Sequence, residues 1–254
     1  MRRAEGKPSN ALVGFSNFLM RLWQAEAPRA VVVGWDTLFV PTYRHELFAG
    51  YQGGRQFDDE LLEQLDLLPE LVRSFGFVAA KGEGYEADDF LAAAVDQEEK
   101  RGGTAVVVTS DRDSFQLASD LTTILQPTRG VSELARVGPA EVRERYGVAP
   151  EQVPDFIALR GDPSDRMPGA RGVGPKTAAS LLVQYGSLET MLEDGRFAVQ
   201  AEELRMYRRM ATLDAAAPLP PLRNQTPKWA EASSFVRELG LNALADRVLA
   251  LSKP

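Results

Sequence analysis

The spacing of apolar residues predicts alternating helices and strands in the first half of the chain. Apolar side chains recur every three to four residues in Ala11–Ala25 and Glu60–Phe75, which is typical of amphipathic helices. Continuous apolar runs are typical of buried parallel strands, and the chain has four such runs: Ala30–Trp35, Phe77–Ala80, Thr104–Thr109 and one near Thr122–Leu125. With helices at Ala87–Lys100 and Ser114–Ala118, the alternation predicts an α/β fold with a mostly parallel sheet and helices on both faces.

The second half of the chain has mainly helical spacing. The predicted helices are Pro139–Tyr146, Pro150–Leu159, one ending near Tyr185, Ala201–Leu213, and one or two within Ala230–Leu251. Residues 218–221 predict a linker because they are rich in proline. The arginines of Ala201–Leu213 are interpreted as a solvated helix face.

Composition limits the kinds of site that the chain can form. The 254 residues include no cysteine and one histidine, His45, so thiolate and histidine-rich metal sites are excluded. Any metal must be held by oxygen, which favours Mg²⁺ or Mn²⁺. No apolar run has membrane-spanning length, so no membrane partner is expected. The absence of cysteine fits a reducing cytoplasm, which is the expected location.

Carboxylates follow the predicted strands. Three of them fall within Glu86–Asp89, where a helix begins, and Asp36, Asp111 and Asp113 follow two other strands. Ligands bind at the carboxyl ends of strands in open α/β sheets, so these acids are predicted to share one rim. Two ordinary roles remain open at this point: acids suit a helix N-terminus, and Asp36 could simply form a turn.

Two glycine-rich segments follow in the helical half. Residues 161–169, GDPSDRMPG, place Asp162 and Asp165 in a rigid loop, and residues 172–178, GVGPKTA, form a helix-hairpin-helix pattern. Glycines let backbone N–H groups approach a phosphate, and Arg171 and Lys176 would add positive charge. An ordinary helix-joining turn is the alternative interpretation.

The polar segment between residues 41 and 59 carries arginine and tyrosine, which suit phosphate and base contacts. An ordinary solvated loop is the alternative, and His45 is only a weak candidate for a catalytic base.

The net charge of −7 does not decide whether a nucleic acid is the partner. Seven of the acids in the segments above account for all of it, and without them the chain is neutral: Glu86, Asp88, Asp89, Asp111, Asp113, Asp162 and Asp165. Two hard cations would relieve repulsion between clustered carboxylates and support phosphodiester hydrolysis. The residues alone therefore predict a metal-dependent nuclease.

GYEADD, the strand ending in TSDRD, GDPSDRMPG and GVGPKTA resemble, in order and spacing, the 5′→3′ exonuclease/flap endonuclease family. That family includes the N-terminal nuclease domain of bacterial DNA polymerase I, and the resemblance runs from Ser9 to about Leu219. It implies a PIN-like core at residues 1–137 with a helical arch at about 41–66. It also implies a helical region at 138–254 with a helix-three-turn-helix DNA clamp at about 154–190.

The resemblance also implies roles for individual residues. The metal-site acids would be Asp36, Glu86, Asp88, Asp111, Asp113, Asp162 and Asp165, with Asp89 beside them. Asp36, Arg44 and Arg55 would be catalytic, the two arginines by contacting the scissile phosphate. DNA contacts would come from Arg44, Tyr51, Arg55, Arg171, Gly172, Val173, Gly174, Lys176 and Thr177, with K⁺ at the hairpin.

The implied enzyme is a stand-alone, monomeric nuclease that uses Mg²⁺ or Mn²⁺. Its substrates would be 5′ flaps, nicks and 5′ ends of duplex DNA, with RNA primers as a further candidate, in replication and repair.

The sequence departs from the family pattern in two places. The family's first strand and its acid precede the segment matching Ser9–Phe15, and this sequence starts after them. Either the start codon is assigned downstream or the strand and its ligand are missing. Gln52 also stands where the family's arch usually has lysine, so Arg44 or Arg55 would have to compensate. The alternative function is therefore a DNA-binding module with an impaired active site.

Overall fold

A computed structural model describes residues 7–38, 40–51 and 57–252. Its helices, in chain order, are α1 Asn10–Glu26, α2 Tyr43–Leu47, α3 Asp59–Ser74, α4 Ala87–Lys100, α5 Pro139–Tyr146, α6 Val153–Arg160, α7 Pro175–Tyr185, α8 Leu188–Glu193, α9 Ala201–Ala211, α10 Trp229–Glu238 and α11 Asn242–Ala250. Its strands are β1 Val32–Gly34, β2 Val78–Ala80, β3 Ala105–Val108, β4 Thr122–Pro127 and β5 Leu134–Val137. Short 3₁₀ turns occupy Asp113–Leu117, Pro150–Gln152 and Ala198–Gln200.

The chain divides into two compact units. Unit 1 comprises Met1–Trp35, Arg55–Lys81 and Pro220–Pro254, and unit 2 comprises Asp36–Gly54 and Gly82–Leu219. The predicted domain division at residues 137 and 138 stays a prediction.

Unit 1 holds α1, α3, α10 and α11 around the parallel pair β1–β2. The predicted helix Glu60–Phe75 is confirmed as α3, which begins after Asp58, whose side chain accepts a hydrogen bond from the Leu61 N–H (2.7 Å). Gly76 follows at φ +82°, a conformation that suits glycine at a helix end. Apolar residues of α3 pack with those of α1, α10 and α11 into the core of this unit.

Unit 2 holds the remaining strands and helices. β3 pairs with β4 in parallel, and β4 pairs with β5 antiparallel. α6 is buried on all sides from Val153 to Leu159, so it forms the centre of the helical part. Its side chains share one core with Phe115, Ile124 and Leu182.

The α/β fold class is confirmed, and so are the predicted helices, except that Ser114–Ala118 corresponds to the 3₁₀ turn Asp113–Leu117. Two corrections concern the strands. Among the described residues, the strands pair as a two-stranded and a three-stranded sheet rather than as one sheet. The antiparallel strand β5 was not predicted, because its four residues are too few to show a periodic pattern and Arg136 interrupts the apolar run. Within the described ranges, no helix has the length and apolar character needed to cross a membrane.

Candidate metal and nucleic-acid site

The acidic first turn of α4 is assembled by hydrogen bonds to backbone groups. Glu86 is the residue before the helix, and Asp89 Oδ2 accepts a hydrogen bond from the Glu86 N–H (3.0 Å). Asp36 Oδ1 accepts one from the Ala87 N–H (2.8 Å). Acceptors at a helix N-terminus satisfy N–H groups that lack partners within the helix. The structure therefore brings Asp36 to the Glu86–Asp89 segment, as the strand-end argument predicted.

Arg44 forms a buried ion pair with Asp89. The two side chains are 2 % and 0 % exposed, and Arg44 Nη1 and Nη2 donate to Asp89 Oδ2 and Oδ1 at 2.9 Å each. Asp89 Oδ1 also accepts hydrogen bonds from the Tyr43 hydroxyl (3.3 Å) and the Asp214 N–H (2.9 Å). Both oxygens of Asp89 are therefore occupied by protein donors.

Glu86 is the second buried carboxylate of this turn. Its Oε1 accepts a hydrogen bond from the Thr42 hydroxyl (3.0 Å), and its Oε2 accepts one from the Tyr51 hydroxyl (2.9 Å). Arg44 Nη1 lies 3.3 Å from the same Oε2. Burial raises the pKa of Glu86, although Arg44 and the two hydroxyl groups oppose the shift. Burial, with the Glu86 charge, also raises the pKa of Tyr51, so its hydroxyl stays a donor.

The other acids have a different electrostatic setting. We call Asp88, Asp111, Asp113, Asp162 and Asp165 the outer acid group. Burial, with the charges of Asp89, Glu86 and Asp111, raises the pKa of Asp88 to about 7 despite Arg44. Burial also raises the pKa of Asp113, and the charges of Asp111, Asp162, Asp165 and Asp88 add to that shift. Acids from three separate segments therefore act on one another.

The loop that carries Asp162 and Asp165 is held by close backbone contacts. Asp162 and Met167 exchange two N–H to carbonyl hydrogen bonds of 2.8 Å. A Cβ atom on Gly161 would lie 2.7 Å from the Met167 and Pro168 carbonyl oxygens, so only glycine fits there. Asp162 Oδ1 accepts a hydrogen bond from the Ser164 N–H (2.8 Å), and Arg160 Nη2 lies 3.4 Å from Asp162 Oδ2. The backbone of the loop is thus held by hydrogen bonds and close contacts, and its rigidity stays a prediction.

The donor chemistry of these acids fits a hard divalent cation. Asp88 Oδ1 is buried and has no hydrogen-bond partner in the part of the chain that the structure describes, so it is available as a ligand. Across residues 7–38, 40–51 and 57–252, no three Asp, Glu or His side chains are arranged as ligands of one ion. The metal-ligand role of the predicted acids therefore stays a prediction.

The predicted hairpin forms the wall of an open groove. Gly174 precedes α7, and Gly172 has φ +73° with open space where a Cβ atom would lie. Arg171, Lys176 and Thr177 are exposed, and the Arg171 N–H donates to Gln200 Oε1 (2.9 Å). The groove has a volume of about 490 Å³, and its lining is Pro168–Gly174, Gln200 and Glu203. Val173 is half-buried in this wall.

Two residues that were predicted to contact DNA are buried in the structure. Arg44 was expected to face a phosphate, but its guanidinium is buried against Asp89, so it is not presented to a ligand here. Tyr51 was expected to contact DNA, but it is buried and donates to Glu86. Arg55 and Gln52 lie outside the described residues. His45, weakly considered as a base, accepts a hydrogen bond at Nδ1 from the Thr42 N–H (3.1 Å).

Sequence reasoning missed the partners that surround Asp89 and Glu86. The Thr42 hydroxyl donates to Glu86, the Asp214 N–H donates to Asp89, and the Met210 carbonyl oxygen holds Arg44, the partner of Asp89. Met210 and Asp214 lie far from Asp89 along the chain. A threonine hydroxyl and main-chain atoms carry no sequence signal of such contacts.

Family models identify the chain. The model described as 5′-3′ exonuclease, N-terminal resolvase-like domain matches residues 1–147, and the model described as 5′-3′ exonuclease, C-terminal SAM fold matches residues 148–231. The chain belongs to the 5′-3′ exonuclease family.

Relatives of this family member include two polymerases. DNA polymerase I of Mycobacterium leprae is 43 % identical over 190 residues, which cover 74 % of this chain and 21 % of the relative. DNA polymerase I of Bacillus subtilis is 34 % identical over 259 residues, which cover 96 % of this chain and 29 % of the relative. The chain thus spans less than a third of the length of either polymerase.

Solved structures share the fold. T5 5′-exonuclease with divalent metal ions (zinc) bound has a TM-score of 0.70 at 18 % identity, over 97 % of this chain and 92 % of that one. The catalytic core of Rad2 in complex with DNA substrate has a TM-score of 0.62 at 16 % identity, over 98 % of this chain and 86 % of that one. At these identities the likeness establishes the fold of this exonuclease-family chain and nothing finer.

Proposed function

We propose that this chain is a divalent-metal-dependent 5′→3′ exonuclease and 5′-flap endonuclease that hydrolyses DNA phosphodiesters in replication and repair. The observation that carries the proposal is the buried Asp88 Oδ1, which has no hydrogen-bond partner among the described residues and lies in one turn with Glu86 and Asp89. Burial raises the pKa of Asp88 and of Asp113, and the charges of acids from separated segments of unit 2 add to both shifts. A structural ion pair does not need so many acids. Family membership provides the reaction class.

Mg²⁺ or Mn²⁺ is the proposed cofactor because the candidate ligands are carboxylates. Asp36, Glu86, Asp88, Asp111, Asp113, Asp162 and Asp165 would hold the ions, two or more in number. Bound ions of this kind supply an activated water and stabilise the leaving oxygen of a phosphodiester. The residues themselves keep negative charge concentrated where those ions would bind. Asp89 is not in this set, because five donor contacts occupy its two oxygens. Glu86 stays in the set because, among the described residues, its Oε1 accepts one hydrogen bond, from Thr42.

The proposed substrates are duplex DNA with 5′ flaps, nicks or 5′ ends, and RNA primers are a further candidate. The wall of the groove at Gly172–Gly174 offers backbone N–H groups and the start of α7, and Arg171, Lys176 and Thr177 are exposed beside it. Such a surface grips phosphates without reading bases, and a K⁺ ion is proposed to bind there. A T5 flap endonuclease in a complex with DNA and metal ions shares the fold. The chain is proposed to act as a monomer.

The test is a cleavage assay on a labelled 5′-flap duplex with Mg²⁺ or Mn²⁺. Release of the flap by the wild-type chain, with loss of release in Asp111→Asn, supports the proposal. Asp120→Asn is the matched control, because Asp120 is an exposed acid of the same unit outside the proposed ligand set. Equal cleavage by the wild type and Asp111→Asn would contradict it.

A second candidate is a DNA-binding module that does not cleave. It is favoured by the lack of three metal-ligating side chains in one arrangement among the described residues. Retention of the flap duplex with metal present, without any cleavage product, would select this candidate over the nuclease.

A further inference from the structure

A single arginine connects three segments of unit 2. Arg44 lies in α2, its two Nη atoms donate to Asp89 in the first turn of α4, and its Nε donates to the Met210 carbonyl oxygen in α9 (2.9 Å). All guanidinium nitrogens are therefore engaged, and the side chain is 2 % exposed. A buried arginine with this many directed contacts fixes the geometry of its partners.

The end of α9 is joined to the same pair by two further contacts. The Tyr43 hydroxyl donates to the Thr212 carbonyl oxygen (3.2 Å), and the Asp214 N–H donates to Asp89 Oδ1 (2.9 Å). The Tyr43 ring also lies against the guanidinium, with 4.6 Å from Arg44 Cζ to the ring centroid. Segment 210–214 is thus bound to the acidic turn of α4 through α2.

Arg44 also acts on Glu86, one of the proposed metal ligands. Its Nη1 lies 3.3 Å from Glu86 Oε2, and α2 is preceded by Thr42, which donates to Glu86 Oε1. Asp89 accepts from the Glu86 N–H, so both the backbone and the side chain of Glu86 depend on the Arg44–Asp89 pair.

We propose that Arg44 and Asp89 are positioning residues: together with Tyr43 and segment 210–214 they form a latch that sets Glu86 in its place for metal binding. The proposal rests on the proposed function, because it concerns the same acids. In this proposal Arg44 orients Glu86 instead of contacting a phosphate of the DNA. We use "latch" for Tyr43, Arg44, Asp89 and the backbone of residues 210–214.

The chemistry of the latch predicts the effect of altering it. Lysine keeps the positive charge of Arg44 but cannot make two parallel hydrogen bonds to a carboxylate and a third to a carbonyl oxygen. Loss of residues that orient metal ligands typically lowers metal affinity by about 10- to 100-fold. A phosphate contact would instead contribute to the salt dependence of DNA binding.

The experiment compares Arg44→Lys with the wild type in two measurements that do not require cleavage. Electron paramagnetic resonance of free Mn²⁺ gives the metal affinity without DNA. Binding of a flap duplex over a range of NaCl concentrations, with EDTA present, gives the salt slope. Arg208→Lys is the control for the arginine-to-lysine exchange, because Arg208 Nε lies 3.0 Å from Asp155 Oδ1 in an ion pair of the same unit whose arginine is 44 % exposed.

The latch predicts an approximately tenfold loss of Mn²⁺ affinity in Arg44→Lys and wild-type Mn²⁺ affinity in Arg208→Lys. Because lysine would keep the charge of a phosphate contact, the salt slope is judged on Arg44→Gln, where the latch predicts no change. A slope that falls by about 0.9 in Arg44→Gln, with unchanged Mn²⁺ affinity in Arg44→Lys, would overturn the latch in favour of a phosphate contact. Equal losses in Arg44→Lys and Arg208→Lys, or unchanged Mn²⁺ affinity, would also overturn it.

Tyr43→Phe keeps the latch testable if Arg44→Lys does not fold. The change removes only the hydroxyl bonds to Asp89 and the Thr212 carbonyl oxygen. A smaller loss of Mn²⁺ affinity supports the latch, and unchanged affinity contradicts it. Neither measurement needs turnover, so the latch and the proposed function can fail separately. Wild-type protein that binds Mn²⁺ but never cleaves DNA would contradict the proposed function, whereas the Mn²⁺ affinities of the variants would still test the latch.

Discussion

The latch and the outer acid group differ in whether protein donors neutralise a buried carboxylate. In the latch, Asp89 is completely buried and bonded to Arg44, the Tyr43 hydroxyl and two backbone N–H groups. In the outer acid group, Asp88 precedes it directly, has a buried oxygen without a partner among the described residues, and has a pKa of about 7. Adjacent carboxylates thus differ in whether protein donors neutralise them. The satisfied one stabilises the fold, and the unsatisfied one is suited to bind a cation.

The largest expected effect comes from removing an outer acid. Asp111→Ala should lower flap cleavage by about 100-fold or more, because bound metal supplies several kcal/mol of charge stabilisation and each 1.36 kcal/mol is tenfold in rate. Duplex affinity in EDTA should stay within about twofold of the wild type, since Asp111 makes no proposed contact to DNA. Single-turnover cleavage and fluorescence anisotropy measure the two quantities. Normal turnover in Asp111→Ala would remove this acid from the site.

A second prediction concerns the loop that carries Asp162 and Asp165. Gly169 has φ +74°, and a Cβ atom there would lie 2.7 Å from the Leu159 carbonyl oxygen. Gly169→Ala should therefore destabilise the protein by more than about 2 kcal/mol, through backbone strain and the clash together. Urea unfolding measures the change, with Gly172→Ala as the control at a similar φ but with open space around the Cβ position. Equal losses in both variants would mean that the close backbone contact does not matter.

A smaller effect should appear in the pH dependence of stability. The pKa of Asp88 is raised to about 7, whereas an aspartate in an unfolded chain titrates near about 4. The folded state therefore binds this proton more tightly, and its stabilising contribution is lost as the pH rises from about 4 to about 7. The Tm of metal-free wild type relative to Asp88→Asn should fall over that range, as measured by calorimetry. A constant difference, or one that rises with pH, would contradict the raised pKa.

Sequence reasoning predicted four of the five strands that the structure describes and most of the helices, but not the division of the acids between these two regions. α3, α4, α5 and α7 follow from apolar spacing, caps and glycine stops, which are local signals. The approach of Asp36 to Ala87 follows from the rule for strand ends. The role of Asp89 depends on Arg44 and on the Asp214 N–H. Asp214 is 125 residues from Asp89 in the chain. Contacts of that kind are set by tertiary packing and leave no periodic pattern.

The most direct test compares the unfolding free energies of Asp88→Asn and Asp89→Asn in urea, without metal, at about pH 8. We predict that Asp89→Asn loses about 3 kcal/mol, because it leaves the buried Arg44 charge without its partner. Asp88→Asn should be as stable as the wild type or more stable, because it relieves repulsion, and it should gain less from added Mn²⁺. Similar losses of unfolding free energy in both variants would contradict the account, in which Asp89 stabilises the fold and Asp88 binds the metal.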